Sequence, residues 1–151
     1  MLKRVLAMGL ALALMLAGAA LAETAELSDW YGKDIAEAAE AVGGLEFSAG
    51  EEFAENYEDE RVALRGNGGK VSLIELKLEP GDWTLCGVSV GMTADEVKAL
   101  MSGFPMMWEY DEEIAWMVQA DISDDLNSVM LVVFFDEGGL VNGAWYRNAE
   151  A

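Results

Sequence analysis

Val129-Met130-Leu131-Val132-Val133-Phe134-Phe135 is apolar at every position. An antiparallel strand with one wet face alternates apolar and polar side chains, so this run is expected to be buried on both faces. Asp136-Glu137-Gly138-Gly139 follows as a turn, and Leu140 to Arg147 reads as the return strand of a β-hairpin. Ala115 to Ala120 predicts a strand ahead of the hairpin, reached through the acidic stretch Glu109 to Glu113 and joined onward by a turn across Asp121 to Ser128. A helix packed behind the hairpin covers one face of Val129 to Phe135. The other face must meet the similar repeat that precedes it in the chain, a partner, or both.

Upstream, the chain spells a similar plan. Gly32-Lys33-Asp34-Ile35-Ala36-Glu37-Ala38 through Gly44 aligns without a gap on Gly91-Met92-Thr93-Ala94-Asp95-Glu96-Val97 through Gly103, and an internal repeat governs the whole fold assignment. Asp34 with Glu37, and Thr93 with Glu96, have the spacing of capping boxes at helix starts. Ile35, Ala38, Ala39 and Val42 then follow the i, i+3, i+4, i+7 spacing of a one-sided amphipathic helix, and Val97, Leu100 and Met101 repeat it in part. Gly43-Gly44 and Gly103 are expected to stop the two helices. Arg61 to Arg65 and Lys70 to Leu78 alternate around Gly66-Asn67-Gly68-Gly69, which predicts a hairpin with Ile74, Leu76 and Leu78 on one face. Glu51 to Tyr57, with Phe53 and Tyr57 four apart, reads as a short second helix. Each copy of about 60 residues is too small to bury a sufficient core alone. The expected fold class is therefore α+β: two tandem helix-plus-antiparallel-sheet repeats, at 29–80 and 83–148, packed as one compact unit with the helices on one side.

Lys3 and Arg4 precede an uncharged run from Val5, which closes on Ala20-Leu21-Ala22 before Glu23. This order predicts a secretory signal peptide over 1–22 with an A-x-A cleavage site; the alternative is an uncleaved anchor near the lower limit of a bilayer span. No cysteine lies near the cleavage site to carry a lipid. The expected product is exported, to the periplasm, cell envelope or exterior, with no membrane insertion after cleavage. The net charge of −19 argues against nucleic acid and anionic lipid as partners and favours a protein or peptide with a basic patch. Solubility alone also accounts for the charge.

Cys86 is the only cysteine and there is no histidine. An intrachain disulfide is excluded, and Trp83 to Val88 reads as a buried apolar strand around an inert thiol. The usual nucleophile and metal constellations have no residues to draw on, so no catalytic residue, cofactor or metal ligand is assigned and an enzyme is not expected. The acidic clusters Glu58-Asp59-Glu60, Asp111-Glu112-Glu113 and Asp121 with Asp124-Asp125 suggest the alternative of an acidic cation-binding extracytoplasmic domain. Asp121 to Asn127 nevertheless lacks the spacing and glycine of an EF-hand loop. Among the aromatic residues, Tyr110, Trp116 and Tyr146 are the candidate partner-binding positions, because acidic or polar residues adjoin them and rings dominate binding hot spots. Filling the core is the competing role for each ring.

The string Gly87-Val88-Ser89-Val90-Gly91-Met92-Thr93, Glu96-Val97, Leu100, Gly103-Phe104-Pro105, then Trp108, Tyr110 and Val133 to Val141, resembles the SmpA/OmlA (BamE-like) group of small bacterial envelope proteins. The helix-plus-sheet unit in tandem is similar to the β-lactamase inhibitory protein fold. The resemblance covers Gly87 to Arg147 well and Trp30 to Leu78 weakly. It implies a non-enzymatic protein that holds or grips another protein, without identifying which. The lipid-bearing cysteine of the outer-membrane assembly lipoproteins is absent, so that role does not carry over.

Overall fold

The computed structural model describes residues 25–79, 81–119 and 128–149. The elements, in chain order, are β1 (Ala25–Glu26), α1 (Ile35–Val42), β2 (Glu46–Ser48), β3 (Glu55–Glu58), β4 (Val62–Asn67), β5 (Lys70–Leu76), β6 (Trp83–Thr84), α2 (Ala94–Leu100), β7 (Met106–Glu109), β8 (Glu113–Gln119), β9 (Val129–Phe135) and β10 (Val141–Asn148). Eight strands form one antiparallel sheet in the order β2-β3-β4-β5-β10-β9-β8-β7, while β1 and β6 pair separately in parallel. The sheet is two antiparallel meanders joined where β10 pairs with β5.

This corrects the expected α+β class. Strand and bridge account for 47% of the described residues against 16% in helix, so the fold is β-rich rather than a balanced tandem of helix-plus-sheet units. Segments read as helix or left unassigned pair as strands instead. Glu55 to Glu58 joins the sheet because Tyr57 sits opposite Phe47 on one side and Leu64 on the other; the four-residue spacing from Phe53 reflects no helix. Short strands β2 and β7, too brief to show a period, form the two edges.

Both helices lie on one face of the sheet and are short. Asp34 caps α1 by accepting from the Glu37 N–H at 2.9 Å, and Ile35, Ala38, Ala39 and Val42 are buried. At its end Gly43 (φ 77°) donates its N–H to Ala39 O. The α2 capping box is complete: Thr93 Oγ1 accepts from the Glu96 N–H, and the Glu96 carboxylate accepts from the Thr93 N–H at 2.8 Å. Gly103 is not left-handed and does not stop this helix, which closes at Met101 with an N–H donated to Val97 O and Ala99 O. The aligned glycines do equivalent work. Gly32 N–H donates to Val71 O at 2.8 Å, and Gly91 N–H donates to Val141 O at 2.8 Å, so each helix entry is tied to a central strand.

Turn chemistry sets the hairpin registers. Gly68 and Gly69 both have positive φ (69° and 79°), which matches the right-handed twist of β4 and β5 across a two-residue turn. At the neighbouring bulge a Cβ on Gly66 would lie 1.9 Å from Lys70 O, so that position admits no side chain. In the second hairpin Asp136 Oδ1 accepts from the N–H groups of Gly138 and Leu140 at 2.9 and 3.0 Å. Leu78, expected beside Ile74 and Leu76, lies past the end of β5 and is 66% exposed.

The segment around Cys86 is a turn rather than a strand beyond Thr84, with Cys86 itself at φ 52°. Glu26 organises it. Its carboxylate accepts from Ser28 N and Oγ, from Thr84 Oγ1 at 2.8 Å, from Cys86 N at 2.7 Å and from Gly87 N at 2.9 Å. Leu27 next to it is fully buried in the core. Burial raises the Glu26 pKa, but the hydrogen bonds from Ser28, Gly87, Cys86 and Thr84 outweigh it and hold the group below its ordinary 4.5. A carboxylate with a lowered folded pKa stabilises the fold above its unfolded pKa, and that stability is lost as pH falls through the folded value. Glu26→Gln keeps one acceptor oxygen and turns an amide toward the remaining donors. It should cost about 1–3 kcal/mol at pH 7, and denaturant titrations should show the gap to the parent protein closing as the pH drops below 4.5.

Candidate interaction surface

Register across the sheet assigns every central side chain to a face. One row runs Phe47, Tyr57, Leu64, Ile74, Tyr146, Leu131, Trp116, Met106. Its central members pack with Val42, Val97 and Met101 of the helical layer in the main core. The adjacent row runs Glu46, Glu58, Ala63, Glu75, Trp145, Val132, Ala115, Trp108 and points the other way. Among the described residues no helix covers this second face. It carries its own apolar cluster, in which Ala115, Met130 and Val132 are buried beneath the half-buried Trp108, Phe134, Trp145 and Ala149. Both faces of β9 are therefore buried, one by the helical layer and one by aromatic rings from its own sheet.

The rings are held in place. Trp108 donates its indole N–H to Glu113 Oε1 at 3.0 Å. Phe134 and Trp145 meet edge to face, with centroids 4.9 Å apart at 72°, a geometry that adds about 0.5–1.5 kcal/mol beyond area burial. The Arg147 guanidinium lies 5.8 Å from the centre of the Trp145 ring. Two hollows flank Phe134. One, of about 350 Å³, is bounded by Glu75, Lys77, Gly143 and Trp145. The other, of about 590 Å³, is bounded by Tyr110, Asp111, Glu112 and Glu113. These are the β7–β8 turn and the first residue of β8, fixed by Tyr110 N–H donating to Glu113 O at 2.8 Å and by Phe135 N–H donating to Glu112 O at 2.9 Å.

The opposite half of the same face is charge-paired. Arg65 reaches Glu75 at 2.8 Å and Glu58 at 3.5 Å, Lys77 reaches Glu58 at 2.7 Å, and Arg61 reaches Asp59 at 2.6 Å. The Lys77 hydrogen bond is the main reason Glu58 sits below the usual carboxylate range. Surface pairs of this kind contribute about 0–1 kcal/mol each, so they organise side chains more than they stabilise the fold.

Of the three sequence candidates, Tyr110 is 65% exposed at the rim of the larger hollow. Trp116 and Tyr146 are instead 2% and 8% exposed on the helix side, which corrects their placement on the surface. Tyr146 meets Tyr31 edge to face at 5.4 Å, and burial pushes its phenol up to about 12. Trp108 and Trp145 take the outward positions. Alternation already separates Trp145 from Tyr146, but with β9 apolar at every residue the sequence does not say which parity the helices cover. In the cluster Glu58-Asp59-Glu60, Glu58 is engaged by Lys77 and Asp59 by Arg61, and Asp121, Asp124 and Asp125 lie outside the described residues. Among the described residues no three acidic or cysteine side chains converge as a metal site would require. The Cys86 thiol, pushed up to about 12 by burial and by the Glu26 charge, is a poor nucleophile.

The two tryptophan environments predict different costs. Trp116→Ala opens the main core and should destabilise by about 3–5 kcal/mol, whereas Trp145→Ala removes a half-exposed ring and should cost about 1–2 kcal/mol. Chemical denaturation of both variants checks the ordering, and a larger loss at Trp145 would refute the assignment of faces.

Comparison with protein-family models, characterised proteins and solved structures returns no match.

Proposed function

We propose that this chain is an exported, non-enzymatic bacterial protein-interaction module of the cell envelope or exterior, binding a protein or peptide through aromatic residues of its open sheet face. The observation that carries the reading is the cluster of Trp108, Phe134 and Trp145 over Ala115, Met130 and Val132, on the face opposite both helices. Half-buried rings grouped on one rigid surface have the composition of binding hot spots, and contiguous exposed apolar surface on a soluble protein marks interaction sites. The likeness of Gly87 to Arg147 to the SmpA/OmlA group supports the same class of activity. A sequence without histidine, and a single thiol titrating near 12, support the non-enzymatic part. The charged, apolar and small-residue order of residues 1–22 supports export.

Affinity capture from the native envelope fraction and culture supernatant tests the binding role. Proteins retained by the parent chain should be depleted with Trp108→Ala and with Trp145→Ala, each checked for cooperative unfolding. A retained set unchanged by either variant would rule out this face. Mass spectrometry of the chain recovered outside the cytoplasm should place its N-terminus at Glu23; an intact Met1 terminus in the membrane fraction would replace export with anchoring.

A further inference from the structure

The open face lacks a backbone edge in its middle, so an occupant is held there by side chains alone. The two hollows beside Phe134 differ in chemistry. The larger is walled by the exposed Tyr110 ring and the Phe134 ring, with the carboxylates of Asp111 and Glu112 on its rim. Among the described residues neither carboxylate has an ion-pair partner, unlike Glu58, Asp59, Glu75 and Glu109, which are taken by Lys77, Arg61, Arg65 and Lys98. A metal ion needs several oxygens converging at about 2.0–2.6 Å, and among the described residues no such convergence exists. A large, flat cation fits where a small one does not. The smaller hollow, lined by the touching Phe134 and Trp145 rings on one side, is mainly apolar, with Glu75 and Lys77 at its margin. Adjacent strands are about 4.8 Å apart, so side chains of one short segment can enter both hollows.

We propose that the aromatic half of the open face receives an arginine-bearing apolar segment of a partner polypeptide, its guanidinium seated against Tyr110, Phe134, Asp111 and Glu112 and a neighbouring apolar side chain seated in the smaller hollow beside the paired Phe134 and Trp145 rings. The proposal rests on the reading of this face as an interaction surface and names what it holds. Arginine fits better than lysine because its planar group stacks on rings and presents a fork of donors to carboxylates together. The face already shows this mode internally, where Arg147 lies against Trp145. A second copy of the chain is disfavoured, since each carries a net charge of −19. The β7 edge is a poorer docking place: it is four residues long, follows Pro105 and is bulged at Met107, the devices by which edges avoid pairing.

The test uses blocked synthetic peptides of alternating leucine and arginine, titrated against the full chain and followed by tryptophan fluorescence. Matching peptides carry lysine for arginine, glutamate for arginine, or glycine for leucine. The leucine-arginine peptide should bind tightest, the lysine peptide about threefold weaker, and the glutamate and glycine peptides about tenfold weaker or worse. The double variant Asp111→Asn with Glu112→Gln should weaken the leucine-arginine peptide about tenfold. Glu51→Gln with Glu52→Gln, which removes the same charge from another exposed loop, should leave it within about twofold. All four positions are exposed, so the fold is retained. Equal weakening by both double variants, or equal binding of the glycine and leucine peptides, would reduce the effect to bulk charge and overturn the proposal. If the peptides fail while Trp145→Ala still depletes captured native proteins, the arginine segment is wrong and the interaction surface stands; if both fail, the surface itself is wrong.

Discussion

The pairing of β5 with β10 is the constraint on which the rest of the molecule depends. Leu73, Ile74, Glu75 and Leu76 face Arg147, Tyr146, Trp145 and Ala144 across it. Without this ladder each meander would end in a long, unprotected strand edge, and each would be too small to close a core. With it, the two hairpin return strands β5 and β10 lie at the centre and the short strands β2 and β7 lie at the edges. The approach is close: a Cβ on Gly143 would come within 3.2 Å of Leu76 O. Helix entries are fixed to the same two strands, through Val71 and Val141. The helical layer, the edges and the register all follow from one antiparallel contact.

Because side chains alternate along a strand, that register also decides what the two faces can be. A one-residue slip of β10 on β5 would exchange Trp145 with Tyr146 and turn the main core outward. The face behind the helices holds the larger core, which includes Trp116, Leu131 and Tyr146. On the other face the small side chains Ala115 and Val132 leave room for indole rings to lie over them, so β9 is dry on both sides without a second helical layer. The rings that shield β9 are also those left half-exposed. Packing by these rings explains how a sheet with one face free of helices keeps a fully apolar strand.

Much of this arrangement was legible in the sequence, and the limits have physical causes. Helix α1, its Asp34 cap and its Gly43 terminus follow from local chemistry, as do the hairpins around Gly68-Gly69 and Gly138-Gly139. The helix read at Glu51 to Tyr57 failed because β3 is specified by cross-strand neighbours, Phe47 and Leu64, that are distant in sequence. Fold class failed with it, since four short or irregular strands moved the balance from helix to sheet. The candidate rings failed at Trp116 and Tyr146 for a different reason. Adjacent acids and polar groups are a weak guide to exposure, and parity becomes informative only once one face of a neighbouring strand is known.

The acidity of the chain bears directly on the aromatic face. Half-exposed rings on an uncovered sheet face invite self-association, and nothing about their shape distinguishes a partner from a second copy. Charge supplies the distinction. Asp111 and Glu112 stand at the rim of the ring cluster without cationic partners among the described residues, and screening at physiological salt leaves charges effective within about 8 Å. Two copies meeting through this face bring like charges within that range, which disfavours the contact. A cationic segment gains from the same carboxylates, and the half of the face across β5 adds little competition because Arg65 and Lys77 are already engaged by Glu58 and Glu75. On the proposed reading of this face, acid beside half-buried aromatic surface would act as a filter, lowering its affinity for a second copy while leaving its apolar contacts to a partner of opposite charge.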